Sequence, residues 1–94
     1  MDHFENGRLA LALREFLNAE RLQPQDPRIL CAVGGTYLRK GKLDESEQYV
    51  LRALEIYPEY HEARLLLSEV YIHGKRYEEA IAESRKLLDG PTFP

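Results

Sequence analysis

The sequence has no tryptophan, one cysteine and one methionine, and no apolar run approaching the roughly 18 residues a membrane helix needs. Each shortage excludes something. Cys31 alone cannot close an internal disulfide, so it leaves the redox compartment open. Met1 is not followed by a basic-then-apolar signal segment, and the expectation is a soluble domain, cytoplasmic or periplasmic. There is no basic block either. Thirteen lysines and arginines against 16 aspartates and glutamates give −3, which argues against nucleic acid or an anionic membrane as primary partner. What remains is a 94-residue chain, 44% hydrophobic and 31% charged, the make-up of one small helix-rich domain.

An internal period organises it. Gly7 and Gly41 are 34 residues apart, as are Pro24 and Pro58, Tyr37 and Tyr71, and Ala19 and Ala53. Leu9, Leu43 and Tyr77 keep the interval, and so do Ala12, Ser46 and Ala80. Six columns at one spacing mark a repeating unit. The period divides the single domain into a partial repeat at 1–26, a full repeat at 27–60, and a repeat with an irregular tail at 61–94.

Inside the unit, apolar residues fall at helical spacing: Leu30, Val33, Tyr37 and Leu38 on one helix, then Val50, Ala53, Leu54 and Ile56 on the next. Asp26 is placed to cap, with Pro27 at the first helical position, where its missing N–H costs nothing. Lys40-Gly41-Lys42 reads as a C-terminal stop, Asp44 and Glu47 as a capping box, and Pro58 as a terminator. The pattern predicts five helices, at about 8–23, 27–40, 43–57, 60–73 and 77–89, with residues 2–6 ending an earlier helix. "DGPTFP" at the end is irregular.

These residues resemble the tetratricopeptide repeat, a 34-residue helix–turn–helix unit with the pattern W-x2-L-G-x2-Y, A-x3-F and P. The middle unit carries Leu30, Val33, Gly34 and Tyr37, then Ser46, Val50, Ala53 and Pro58. The third carries Arg64, Leu67, Ser68 and Tyr71, then Ala80 and Ser84, and the first retains His3, Ala12, Phe16, Ala19 and Pro24. No unit has the tryptophan, Ser84 replaces a large apolar residue, and Thr92 stands where the last proline belongs. The resemblance implies an all-α fold, a right-handed solenoid of stacked antiparallel helix pairs. It also implies a non-enzymatic scaffold for a protein or peptide partner, in a bacterial setting. A narrower likeness, of "KRYEEAIAESRKLLDGPTFP" to pilotin-type lipoproteins of type IV pilus assembly, implies a periplasmic alternative.

Catalytic chemistry is hard to find. Gly34-Gly35 sits mid-helix and follows no strand, so it reads as a close helix contact rather than a phosphate loop. His3, His61 and His73 lack metal-ligand spacing, and Cys31 has no evident base. Glu69 and His73 are spaced to touch on a helix, whereas Glu78, Glu79 and Glu83 read as a solvated face. The expectation is no enzyme, no metal and no cofactor.

One constellation points to binding. Phe4, Leu38 and Ile72 form an apolar column beside the tyrosine column, and Cys31 with Leu65 form a second, followed by Gly35 and Glu69. Arg39 and His73 flank the first, and Arg28 stands at its entrance. In the resembled family such columns face the concave surface, which implies a groove for an amphipathic helix or extended peptide. The alternative is that Phe4, Leu38 and Ile72 are inter-helix core. The family's basic clamp for a C-terminal carboxylate is missing, since the matching places hold Cys31, Gly35, Glu62 and Leu66. Leu87 and Leu88 in the last helix suggest a second surface, for self-assembly.

Overall fold

The computed structural model describes residues 3–88, with side chains from Asn6 to Leu88. It contains five helices: α1 His3–Leu22, α2 Pro27–Arg39, α3 Leu43–Ile56, α4 His61–His73 and α5 Tyr77–Leu88. Among the described residues there is no strand, and no helix is long and apolar enough to cross a membrane. The helices pack as α1 on α2, the hairpin α2–α3, α4 stacked on both members of that hairpin, and the hairpin α4–α5. This is the all-α solenoid the period predicts.

The turns explain the punctuation. The Gly41 N–H donates to the Leu38 carbonyl at 3.0 Å and the Lys42 N–H to the Tyr37 carbonyl at 2.9 Å, with Gly41 at φ +82°. That paired closure needs a left-handed residue, which glycine supplies without a Cβ clash. The α4–α5 turn repeats it: Lys75 donates to Ile72 at 3.0 Å and Arg76 to Tyr71 at 2.7 Å. There the left-handed residue is Lys75, at φ +62°, one place after Gly74. At the other loops, Asp26 caps α2, its carboxylate accepting from the Arg28 N–H at 2.9 Å.

Two expectations fail. Gly7 does not stop a helix: α1 runs through it without a break. Gly41 breaks a helix because α3 folds back and packs on α2, whereas no helix is described before α1 for it to fold onto. Continuing the helix keeps every backbone bond at a cost of about 1 kcal/mol for the glycine. The Asp44–Glu47 capping box does not form either. The closure on Tyr37 already places Lys42 at the N-cap, so Asp44 falls inside the first turn, where its charge is favoured by the positive end of the helix dipole. Glu47 instead reaches Arg76, 2.7 Å away in the next turn.

The core lies between hairpins. Leu30, Val50, Ala53, Ala63, Leu67, Tyr71 and Ala80 form one buried cluster spanning α2 to α5. Gly34 and Gly35 are both close-approach positions, toward different neighbours. A Cβ on Gly34 would lie 2.8 Å from Val50 Cγ2 and 3.3 Å from the Ser46 carbonyl of α3. One on Gly35 would sit 3.7 Å from Leu66 of α4. Glu83 is no solvated carboxylate. It is buried and accepts from Arg64 at 3.1 Å and Lys86 at 3.2 Å, tying α5 to α4.

Candidate functional site

The first helices of the two full repeats, α2 and α4, lie side by side and carry the columns the sequence singles out. Leu65 is 53% exposed, although its neighbours Leu66 and Leu67 are packed inward. Cys31 is half-buried against the core, and burial, with Glu62 nearby, pushes its thiol up from the ordinary value. Gly35 contributes backbone close to Leu66, and Glu69 is exposed one turn beyond Leu65. Cys31 and Gly35 belong to α2, and Leu65 and Glu69 to α4, which packs on it.

The other expected residues are dispersed. Arg28 is exposed at the start of α2 and is committed to Asp26, 3.1 Å away. Arg39 lines a small cavity with Arg8, Leu9 and Ala12 and so belongs to the α1 side. His73 is exposed at the end of α4, and the expected Glu69–His73 pair makes no hydrogen bond or ion pair among the described residues. The Phe4 side chain lies outside the described residues. Leu38 is half-buried.

Ile72 opens onto a different surface. It is 51% exposed and, with Tyr77, Ala80, Ile81, Ser84 and Leu88, walls an apolar notch of about 410 Å³ between α4 and α5. Shifted back by one repeat, these positions are Leu38, Leu43, Ser46, Glu47, Val50 and Leu54. In that hairpin Ser46 and Val50 are fully buried, both close to Gly34 of α2, and Leu54 packs on the core that α4 helps to form. In the last hairpin Ala80 is buried, but no described helix covers the rest of this face.

A larger cleft, of about 1070 Å³, lies at the loop edge, between the α1–α2 loop and the α3–α4 loop. Pro24 and Asp26 form one wall, and Tyr57, Glu59 and Tyr60 the other. The Tyr57 and Tyr60 rings are 5.8 Å apart and tilted. Tyr60 occupies the N-cap place of α4 but caps nothing with its side chain, since its ring is packed against the core. Burial first, and then the nearby Cys31 and Glu62, raise its phenol above the ordinary range. Arg28 and Glu62 line this cleft, and Cys31 lies close to Tyr60 and Glu62. Sequence reading missed Tyr57 and Tyr60; their only signal was an aromatic on each side of the Pro58 breaker.

No group of three histidine, cysteine, aspartate or glutamate side chains among the described residues could hold a metal ion.

Comparison with known proteins agrees with the period. The family model described as "Tetratricopeptide repeat" matches residues 1–61 and again residues 36–91. A TPR repeat-containing protein of Pseudomonas aeruginosa, PA4667, is 43% identical over 53 residues. That match covers 56% of this chain and 9% of the relative, so the chain spans a small fraction of the relative's length. The chain belongs to the tetratricopeptide repeat family, whose repeats in general mediate protein–protein interaction and are generally non-enzymatic.

Proposed function

We propose that this repeat protein is a binding module that takes a segment of a partner protein along the α2–α4 surface. The observation that carries the reading is Leu65: an apolar side chain held in solvent on α4, whose other leucines, Leu66 and Leu67, turn inward. Removing such a residue from water is favourable, by about 25 cal/mol per Å² of apolar area, and a partner is the means of doing so. Glu69 and Arg28 give the apolar strip polar ends, the arrangement that suits an extended or helical peptide with a few apolar anchors. The cleft at Tyr57 and Tyr60, lined also by Arg28 of α2 and Glu62 of α4, adds an aromatic wall at the loop edge. The compartment is not part of the proposal. Nor is the pilotin-type likeness, which rests on a segment that runs into residues 89–94, outside the described ones.

The test is affinity capture with the wild-type chain, a Leu65→Glu variant and a control changed on α3, Gln48→Arg. Both altered positions are exposed, so circular dichroism should match the wild type. Proteins held by wild type and control but lost with Leu65→Glu support the reading. Retention by Leu65→Glu, or equal loss with the control, overturns it.

A second reading has its own observation. The open α4–α5 notch, with Ile72, Tyr77, Ile81 and Leu88 all more than half exposed, favours self-association through that end. Mass that rises with concentration supports it, and a constant monomer mass removes it.

A further inference from the structure

We propose that two copies of the chain associate by antiparallel packing of α5 on α5, about a two-fold axis beside Ile81. The proposal rests on the self-association reading and names the surface, partner and register.

The face of α5 that no other described helix covers carries Tyr77, Ile81, Ser84 and Leu88, exposed by 56%, 53%, more than a third and 85%. Their spacing of four, three and four is the alternating seam of a coiled coil, kept for about three turns. Ala80 is buried and Leu87 half-buried toward the rest of the protein, so the seam points outward. A notch of about 410 Å³ runs along it, walled on the other side by Ile72. The same columns one repeat earlier are covered by a helix. The last hairpin thus presents a surface already shaped for helix packing.

Charge selects the occupant. Glu78 and Arg85 are seven residues apart, flank the seam on the same side, and make no ion pair among the described residues. In an antiparallel pair, flanking positions of one kind meet their own kind. With the axis between Ile81 and Ala82, Glu78 of each copy meets Arg85 of the other, twice over. In a parallel pair the two copies' Glu78 and Arg85 would lie on opposite flanks of the seam, so neither attraction would form. Antiparallel packing also brings each acidic helix start, Glu78 and Glu79, beside the other copy's basic end, Arg85 and Lys86. One surface complementary to itself is what a two-fold contact requires. Ser84 at the seam gives room for the close approach.

The contact is small. Twelve residues of helix span about 18 Å, and one helix pair buries less than the roughly 1,200 Å² of a stable standard interface. The association is accordingly weak and depends on concentration.

The experiment is sedimentation equilibrium of the 94-residue chain from low to high micromolar concentration. The wild type should move from monomer toward dimer mass. Ile81→Glu should stay monomeric with an unchanged circular dichroism spectrum. Glu78→Arg and Arg85→Glu should each weaken dimerisation by about tenfold, because both symmetry-related pairs turn repulsive. The combined Glu78→Arg/Arg85→Glu variant should regain most of the wild-type affinity, as the pairs are restored with signs exchanged. A wild type that is monomeric throughout overturns the proposal and the self-association reading together. A dimer that tolerates Ile81→Glu, or is not rescued by the double exchange, overturns the α5 pairing alone.

Discussion

The Ser46 hydroxyl donates a 2.7 Å hydrogen bond to the Gly34 carbonyl across the α2–α3 hairpin, and one repeat later the same two columns hold Ala80 and Ser68. The hydroxyl has changed sides. Each hairpin keeps one small hydroxylated residue at the crossing, but only Ser46 is satisfied. The Ser68 hydroxyl is buried with no hydrogen-bond partner among the described residues. Ser46→Ala should therefore lower stability by about 1 kcal/mol. Ser68→Ala should be neutral or raise it by a few tenths, since alanine is the better helix former and no bond is lost. Urea denaturation at constant slope reads both, and an equal loss in the two variants would sink the argument.

Adjacent glycines should respond in opposite directions. Gly34→Ala puts a methyl 2.8 Å from Val50, which is fully buried and stiff, so the loss should be about 1–3 kcal/mol. Gly35→Ala meets only an ordinary 3.7 Å contact with Leu66 and should gain up to about 1 kcal/mol from helix propensity. Thermal melts of the two variants on either side of the wild type are the expected result.

Lys75 is the one non-glycine residue with positive φ among those described. A left-handed conformation costs a side-chain-bearing residue about 1 kcal/mol, so Lys75→Gly should stabilise by that order. For a domain of this size the melting temperature should rise by roughly 4–8 °C. Lys75→Gly melting below the wild type would mean that the Lys75 side chain has a stabilising role of its own.

Hydrogen bonds from the Arg28 side chain and backbone hold the Asp26 carboxyl below its ordinary value of 3.8. A carboxyl depressed on folding contributes stability that is complete above the unfolded value and is lost as pH falls through the folded one. Asp26→Asn should melt lower than the wild type at neutral pH, and the gap should close below 3.8. A gap that does not change with pH would leave the cap's charge without a role.

Burial raises the Cys31 thiol, and Glu62 adds to the shift. Alkylation by iodoacetamide at neutral pH should be slower in the folded chain than in denaturant, and Glu62→Gln should speed the folded reaction. Equal rates folded and unfolded would remove both causes.

Much of the fold was legible because it is local. The breakers at Pro24, Gly41 and Pro58, and the cap at Asp26, act on backbone groups within a few residues, and four of the five helix spans agree to within a residue or so. Gly7 shows the limit. The same residue in the same column continued a helix, because the turn at Gly41 depends on a second helix to fold onto. Glu83 shows it again, since its partner Arg64 lies 19 residues away. At the candidate site Leu65 and Glu69 are exposed and Cys31 is half-buried, a difference the columns alone do not state. Arg39 turned toward α1 and Ile72 toward α5, because a column at fixed spacing names a helical face without naming what lies against it.

The sequence by itself determined the period, the helices and their stops, since these follow from steric rules and hydrogen bonds that close within four residues. Only the tertiary structure decided which apolar residues are core and which are surface. Val50 and Ser84 occupy equivalent places and differ in exposure because α4 stacks on the first and no described helix stacks on the second. Burial depends on a neighbour distant in the chain, and no local pattern encodes whether that neighbour is there.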